Sequence, residues 1–348
     1  MPELIWDMGT VYDLFASLVV LHHPANFGLR PAWAAGVRSR LPAAQRETLE
    51  LALSLLPIPL QWMQALPAPR DVSTALEVLE KTPPAQRLMD LAAGDDMPAE
   101  IRALLRKLSL AEKPVLQEMD DLRAYLQRRG KSFDPDTLKK IIDIGAHPAE
   151  FGEAFLMALK AYYQVFFREE EARLQPHLTA GIEKAKKLAA ELPLPALLEH
   201  LTGGVEVLPR VKTPKLVLVP SYWGAPLIFL GKVSAERTLL MFGCRSEDES
   251  RIPADQAPKA LVRSLKALAD PTRLHILHDL GEESLTPTEL ARRLRLRAPT
   301  VVHHLNLLRL CGLVHITLEA DGEKRYSLRA GALQALLQDT QRYLGILN

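Results

Sequence analysis

The last ninety residues constrain the fold of this chain most strongly, because their helix signals follow one another in a fixed order. Thr286 can cap a helix with Pro287 at its first position and Glu289 at its third, which makes a capping box with proline in its favoured place. Asp270 and Pro271 give a similar helix start upstream. Two consecutive helices with defined starts are therefore predicted in this part of the chain.

A further helix, over 299–310, is followed by a predicted β-hairpin. In the hairpin, apolar residues occur at every second position before and after a tight turn at Asp321 and Gly322. These residues are Val314, Ile316, Leu318, Tyr326 and Leu328. Helix, short helix, turn, helix and hairpin is the order of a winged helix-turn-helix domain. We predict such a domain over residues 259–330.

The rest of the chain predicts a mainly α protein with a large N-terminal part. Apolar residues recur at helical spacing through 1–204, which we interpret as a helical sensor or effector domain. Short apolar runs over 205–244 predict three or four strands in a small antiparallel sheet packed on that domain. A charged linker is expected over 245–258. The final segment, 331–348, is predicted to be a helix through which two copies dimerise.

Charge and composition exclude several classes of protein. With 43 Lys and Arg against 42 Asp and Glu, the net charge is +1, so any basic patch must be local. Cys244 and Cys311 are too few and too far apart for a disulfide framework or a zinc motif. The apolar N-terminal run carries Asp7 and Asp13 without a basic segment, and no long apolar stretch suits a membrane span. We expect a cytoplasmic protein.

Two adjacent histidines stand on the helix predicted over 299–310. At about 100° per residue, Val301, Leu305 and Leu308 share one face, which predicts that this face packs inward. His303 then points outward, and His304 lies at the edge of the buried face. Because adjacent helical residues diverge, the pair does not suit one metal ion, which needs a spacing of four residues.

Positive charge is concentrated around this helix. Residues 259–330 hold 12 Lys and Arg against 8 Asp and Glu, so their net charge is +4. The basic residues nearest the helix and the hairpin are Arg292, Arg293, Arg295, Arg297, Arg309, Lys324 and Arg325. A solvated charged face is the simpler interpretation, but the order of elements favours contact with DNA phosphates.

The segments "LADPTRLHILHDL", "LTPTELARRLRLRAPTVVHHLNLLRLCGLV" and "GEKRYSL" resemble the ArsR/SmtB-type winged helix-turn-helix transcriptional regulators. The resemblance covers 259–330, about a fifth of the chain, with several motifs in the family's order and spacing. The N-terminal part resembles more loosely a helical domain of unknown function, DUF5937-like, that precedes this module in some bacterial regulators.

The resemblance implies a dimeric repressor whose recognition helix enters the major groove of double-stranded DNA at a palindromic operator. Val302 departs from the small polar residue usual in the family and would touch a thymine methyl instead. Arg297 offers no side-chain oxygen to cap the helix, which leaves amides for a phosphate. The DNA-binding residues that we predict are Arg297, Thr300, Val302, His303, Asn306, Arg309, Lys324 and Arg325.

The same resemblance implies pairing of the last helices across a two-fold axis. This helix carries apolar residues that a lone terminal helix would leave uncovered: Leu333, Leu336, Leu337, Tyr343, Leu344 and Leu347. We therefore expect a homodimer.

Metal sensing, for which the family is best known, is not expected here. Thr286 and Thr288 stand where one site type has cysteines, and threonine hydroxyls do not replace thiolates. The last helix has Asp339 but no histidine for the other site type. His275 and His278 have ligand-like spacing on one helix, but an exposed polar face explains them. We predict neither metal nor other cofactor.

A signal would then be read by the N-terminal domain, from a small organic ligand or a partner. Its aromatic residues would line a pocket or simply form core: Trp6, Trp33, Trp62, Tyr162, Tyr163, Phe166, Phe167 and Trp223. Nucleotide, hydrolase and metalloprotease motifs are missing from the sequence, so we predict no enzyme. Two alternatives stay open: an enzyme domain fused to a DNA-binding module, and a constitutive architectural DNA-binding protein.

Overall fold

The computed structural model describes residues 2–27, 29, 31–92, 99–109, 116–128, 135–245, 259–319 and 323–346. The helices of the N-terminal part are α1 (Thr10–His22), α2 (Pro31–Arg38), α3 (Ala43–Leu55), α4 (Leu60–Ala65), α5 (Val72–Lys81), α6 (Pro84–Ala92), α7 (Ala99–Ser109), α8 (Leu116–Arg128), α9 (Pro135–Ala146), α10 (Pro148–Tyr162), α11 (Arg168–Glu191) and α12 (Leu194–Thr202). The C-terminal part contains α13 (Lys259–Leu268), α14 (Pro271–Glu282), α15 (Pro287–Leu294), α16 (Ala298–Leu310) and α17 (Ala330–Tyr343). The strands are β1 (Glu3–Trp6), β2 (Val205–Glu206), β3 (Lys215–Ser221), β4 (Phe229–Ser234), β5 (Arg237–Gly243), β6 (Val314–Leu318) and β7 (Lys324–Leu328). The prediction of a mainly α protein with a small sheet and a winged helix-turn-helix module is confirmed.

The N-terminal part is built on a four-stranded sheet in the order β1-β3-β5-β4. Alternate residues of its central strands face two different cores. Val217 and Val219 of β3 pack in the core formed with α1, α5 and α10. Leu216 and Leu218 of the same strand pack in a second core with α12 and the C-terminal module. The sheet therefore separates two hydrophobic cores and is buried on both faces.

The predicted antiparallel arrangement of this sheet is wrong. β1 and β3 pair in parallel, as do β3 and β5, and only β4 runs antiparallel to its neighbour β5. Parallel neighbours need long crossover connections, and the segment between β1 and β3 contains α1–α12. Short apolar runs show that strands exist but not which strand each one joins.

The segment "VEVLPRV" was expected to belong to that sheet, and this too is wrong. Its first two residues form β2, which pairs in parallel with β6 of the C-terminal hairpin. The amide of Ile316 donates to the carbonyl of Gly204 at 3.1 Å, and the Thr317 hydroxyl donates to Glu206 at 3.1 Å. The end of the N-terminal part is thus joined by backbone and side-chain hydrogen bonds to the β6–β7 hairpin, which we call the wing.

Helix α12 reinforces this junction, because it leads directly into β2. Its Glu199 carboxylate lies 3.8 Å from His315 and 4.0 Å from Arg329. Gly203, with φ of 65°, ends the helix in the left-handed conformation that favours glycine. A second contact between the two parts brings the turn Pro24–Phe27 next to α16.

The C-terminal part has the predicted helix starts. The Asp270 side chain accepts from the Arg273 amide at the start of α14. At the start of α15, Thr286 and Glu289 form both hydrogen bonds of the capping box, at 3.2 and 2.7 Å. Helix α14 ends at Glu282, one residue past Gly281.

The predicted hairpin is also present, because β6 and β7 pair antiparallel. Its proposed turn at Asp321 and Gly322 lies outside the described residues, as does nearly all of the proposed linker, from 246 to 258. The division into domains remains a prediction. None of the described helices is long and apolar enough to cross a membrane.

Candidate DNA-binding interface

Helix α16 has one buried and one exposed side. Val301, Leu305 and Leu308 are completely buried in the second core, whereas Val302 is 39% exposed and His303 is exposed. α15 and β6 pack against the buried side. His303 therefore faces outward, as the helical spacing predicts.

The start of α16 offers fewer free amides than we expected. Arg297 is the cap residue and makes no side-chain capping bond. The amides of Thr300 and Val301 both donate to the Arg297 carbonyl, at 3.0 and 3.2 Å. Pro299 has no N–H, so the first turn leaves Ala298 as its one available donor. Of the groups that we predicted to bind a phosphate at this helix start, the Ala298 amide and the exposed Arg297 side chain remain available.

The remaining predicted positions on α16 differ in exposure. Thr300 is exposed and Asn306 is half-buried. His304 is 15% exposed, at the edge of the core, with its Nδ1 atom 3.9 Å from Asp270. Burial lowers the pKa of His304, which favours its neutral form. The two adjacent histidines thus occupy different environments, as their positions on the helix predict.

Lys324 of β7 lies within electrostatic range of two other cations, Arg309 of α16 and Arg210. Although Lys324 is exposed as a residue, the surrounding chain desolvates its ammonium group and lowers its pKa; the charges of Arg309 and Arg210 lower it further. Burial also lowers the pKa of Arg309, which lies near Tyr326. Mutual repulsion of this kind is relieved when an anion binds between the cations.

Arg210 was missed in the sequence because it lies outside the winged domain. It ends the short 3₁₀ turn Leu208–Arg210, just after β2, and its side chain is exposed. The pairing of β2 with β6 brings this turn to the wing. No local pattern in the sequence indicates that pairing.

Arg325 has a different environment from its neighbour Lys324. Its guanidinium donates to the Ser284 carbonyl at 2.8 Å and lies 3.5 Å from the Glu289 carboxylate. These contacts join β7 to the start of α15. They speak against the phosphate contact predicted for Arg325, because a phosphate would have to compete with both partners.

The residues considered for metal binding lie apart. Thr286 uses its hydroxyl in the capping box, and Thr288 is exposed. His275 and His278 are both exposed on α14, as an ordinary polar face predicts. In the part of the chain that the structure describes, no three His, Cys, Asp or Glu side chains are grouped to hold a metal ion. Metal independence stays a prediction.

The aromatic residues of the N-terminal part form core at the end of β3. Trp33 and Trp223 stack with ring centroids 5.3 Å apart, and Phe166 packs edge-on against Trp33 at 5.9 Å. Tyr162 is completely buried, and its hydroxyl lies 2.9 Å from the Ser17 hydroxyl. These ring contacts and the burial of Tyr162 favour the core interpretation over an aromatic-lined pocket.

The geometry of the C-terminal part defines a winged helix-turn-helix DNA-binding module. A family model described as a helix-turn-helix domain matches residues 268–317. The HTH-type transcriptional regulator CmtR of Mycobacterium bovis is 41% identical over 91 residues, which are 25% of this chain and 76% of that protein. The regulator of the same name from Mycobacterium tuberculosis matches equally.

Solved structures match over about a quarter of this chain. An ArsR-like transcriptional regulator from Rhodococcus sp. RHA1 is 32% identical, over 25% of this chain and 81% of that chain, with a TM-score of 0.23. Reduced HlyU from Vibrio cholerae N16961 is 34% identical, over 24% of this chain and 88% of that chain, with a TM-score of 0.21. Through its C-terminal module, the chain belongs to the ArsR/SmtB family of winged helix-turn-helix transcriptional regulators. It is a DNA-binding transcriptional regulator.

Proposed function

We propose that this chain is a sequence-specific repressor that binds a palindromic operator in double-stranded DNA as a homodimer. Its DNA affinity is controlled by a small organic ligand at the N-terminal part rather than by a metal ion. It acts in the cytoplasm, where the chromosome is, and has no enzymatic activity.

One observation carries the proposal: the outward side of α16 is exposed while its other side is locked in the core. A recognition helix reads base edges with the side chains that it presents to the major groove. Val302 and His303 are presented in this way. The apolar Val302 side chain can contact a thymine methyl group, and the ring nitrogens of His303 can form a hydrogen bond with the edge of a neighbouring base.

The flanking cations supply the phosphate contacts in this proposal. Arg297 stands at the start of α16, and Lys324 and Arg309 stand beside the wing. Thr300 and Asn306 border the reading positions on α16. We add Arg210 to this set and remove Arg325, because the Ser284 and Glu289 contacts hold its guanidinium.

The contact between the two parts of the chain supports control by the N-terminal part. The wing strand β6 pairs with β2, and the turn Pro24–Phe27 touches α16. A shift of the N-terminal part would therefore move two elements of the DNA-binding module. This favours a regulated protein over a constitutive architectural one.

Two substitutions separate base reading from phosphate binding. His303→Ala should weaken binding to the specific site by about 1–3 kcal/mol and change binding to random DNA little, because base contacts carry the discrimination. Lys324→Ala should weaken both about equally and lower the slope of log affinity against log salt by about one. Fluorescence anisotropy on both DNAs over a salt series measures these effects.

Arg325→Ala is the matched control in the wing, since its partners lie within the protein. It should leave the salt slope unchanged. An equal loss on specific and random DNA for His303→Ala would contradict the base-reading role of α16.

A further inference from the structure

A surface pocket lies where α11, α12 and the end of β5 meet. Its volume is about 540 Å³, within the range typical of small-molecule sites. The apolar part of its wall includes Leu201 and Phe242. Gly181 allows the close approach of α11 to β5: a Cβ atom there would lie 2.5 Å from the Cys244 Cβ. The pocket also lies at the carboxyl ends of the parallel strands β3 and β5, where open α/β sheets commonly bind ligands.

The polar part of the wall is basic. His177, Lys184, His200 and Arg245 line the pocket, and no carboxylate does among the residues described. Tyr222 helps to position two of these groups: its ring centroid lies 5.2 Å from that of His177, and the Arg245 guanidinium lies 5.7 Å from the Tyr222 centroid. Basic side chains around an apolar wall select a molecule that has both an anionic group and an apolar body.

The pocket is connected to the DNA-binding module through α12. His200 and Leu201 line the pocket, and the preceding residue, Glu199, reaches His315 and Arg329 of the C-terminal part. Three residues beyond Leu201, Gly204 accepts the Ile316 amide of the wing strand β6. A ligand that moves α12 must therefore strain or relax the β2–β6 junction.

We propose that this pocket binds a small organic anion with an apolar body, and that this molecule is the effector of the repressor. The proposal deepens the ligand control in the proposed function and rests on it. Lys184 binds the anionic group, next to Arg245, whose guanidinium also donates to the Ala225 carbonyl at 3.2 Å. Leu201 and Phe242 contact the apolar body, and α12 transmits the change to the wing.

A pair of dyes that differ in one charged group tests the site. The first is 8-anilinonaphthalene-1-sulfonate and the second is N-phenyl-1-naphthylamine, which has the same rings without the sulfonate. The full-length wild type should bind one sulfonate dye per chain in a saturable fluorescence titration. Lys184→Ala should weaken that binding about fivefold, because one favourable charge contact is lost, and leave the uncharged dye unaffected. Lys187→Ala, an exposed lysine of α11 outside the pocket, is the matched control.

The outcomes separate the site from the function. Non-saturable dye binding, or equal effects of Lys184→Ala and Lys187→Ala, would overturn the pocket proposal whatever the DNA result. With the site occupied, the sulfonate dye should change the affinity for specific DNA in the wild type and not in Lys184→Ala at the same dye concentration. Saturable, Lys184-dependent binding without any change in DNA affinity would overturn the role as effector site. Absence of any specific DNA binding, with or without dye, would instead refute the proposed function and leave the anion pocket standing.

Discussion

The fully buried Asp13 side chain forms hydrogen bonds with residues at the end of β3, and its burial disfavours the charged form of its carboxyl group. Its carboxylate accepts from the Ser221 hydroxyl at 2.8 Å and from the Trp223 amide at 2.7 Å. Burial raises the pKa of Asp13 to about 6, and these hydrogen bonds offset only part of the effect. The loop that carries Trp223 into the aromatic core is therefore tied to α1 by a carboxyl group that ionises at a higher pH than an exposed aspartate does.

This raised pKa gives a testable pH dependence. Because the pKa in the folded state exceeds the ordinary value of 3.8 for an aspartate, the contribution of Asp13 to stability is full below that value and is lost as pH rises through about 6. Asp13→Asn should remove this trend, so the stability difference between variant and wild type should change by about 2.5 kcal/mol between pH 4 and pH 7. Urea unfolding followed by tryptophan fluorescence measures it. A constant difference across that range would show that Asp13 does not titrate as stated.

Helical spacing is enough to predict where residues lie around α16. The buried Val301, the outward His303 and the half-buried His304 all follow from the positions of the apolar residues. The environments of Arg325 and Arg210 do not follow, because Ser284 and the β2 junction reach them from distant parts of the chain. Local patterns give direction on a helix, whereas the partner of a long cationic side chain depends on tertiary structure.

Among the elements, α15 has its start defined by the capping box. Thr286→Ala removes the hydroxyl that accepts the Glu289 amide and should destabilise the C-terminal module by about 0.5–2 kcal/mol. Thr288→Ala, at the exposed second position of the same helix, is the matched control and should have little effect, because its hydroxyl has no part in the capping box. Hydrogen exchange of the α15 amides measures both variants in the full chain. Equal effects of the two substitutions would contradict the capping role.

Helix α17 leaves apolar side chains in solvent. Leu336 packs inward, whereas Leu337 is 53% exposed and Leu344 is 62% exposed. The last residue of the predicted apolar set, Leu347, lies outside the described part of the chain. Leu344 directly follows the last residue of α17, and because residues seven apart lie on the same side of a helix, it continues the face that carries Leu337. We infer that this face is covered in the homodimer.

Replacing both exposed leucines tests this interface. The double variant Leu337→Asp, Leu344→Asp should be monomeric at micromolar concentration, where we expect the wild type to be dimeric, because two charges buried in the interface would have no partners. Gln338→Asp, which adds a charge on another face, should remain a dimer. Sedimentation velocity distinguishes these states. A monomeric wild type, or a dimeric double variant, would exclude α17 as the dimer contact.

The four-stranded sheet shows which features of a β-sheet can be predicted from apolar runs in the sequence and which cannot. The continuous apolar runs of β3 and β5 are typical of strands buried on both faces, which is the environment of parallel sheets. The same apolar runs were nevertheless interpreted as an antiparallel sheet, which the structure contradicts. β1 has only four residues, and its partner β3 is 212 positions away in the register. Pairing over such a distance is decided by packing of the intervening helices.

For the whole molecule, the sheet and α12 connect the two parts of the chain. One face of β3 packs in the helical N-terminal core, and the other shares a core with the buried side chains of α14 and α16. The fold of the C-terminal module follows from its own capping and hairpin signals. The pairing of β2 with β6 could not be predicted from the sequence, because a strand of two residues is too short to show an alternation of apolar and polar residues.

The central claim is that this molecule recognises a specific DNA sequence as a dimer through α16. A titration of the full-length protein with the DNA upstream of its own gene, against a scrambled duplex of equal length and composition at physiological salt, tests it most directly. We expect saturable binding that is at least about 10³-fold tighter for the upstream DNA, with footprints on two half-sites about one helical turn apart. Equal affinity for the two duplexes would contradict the claim.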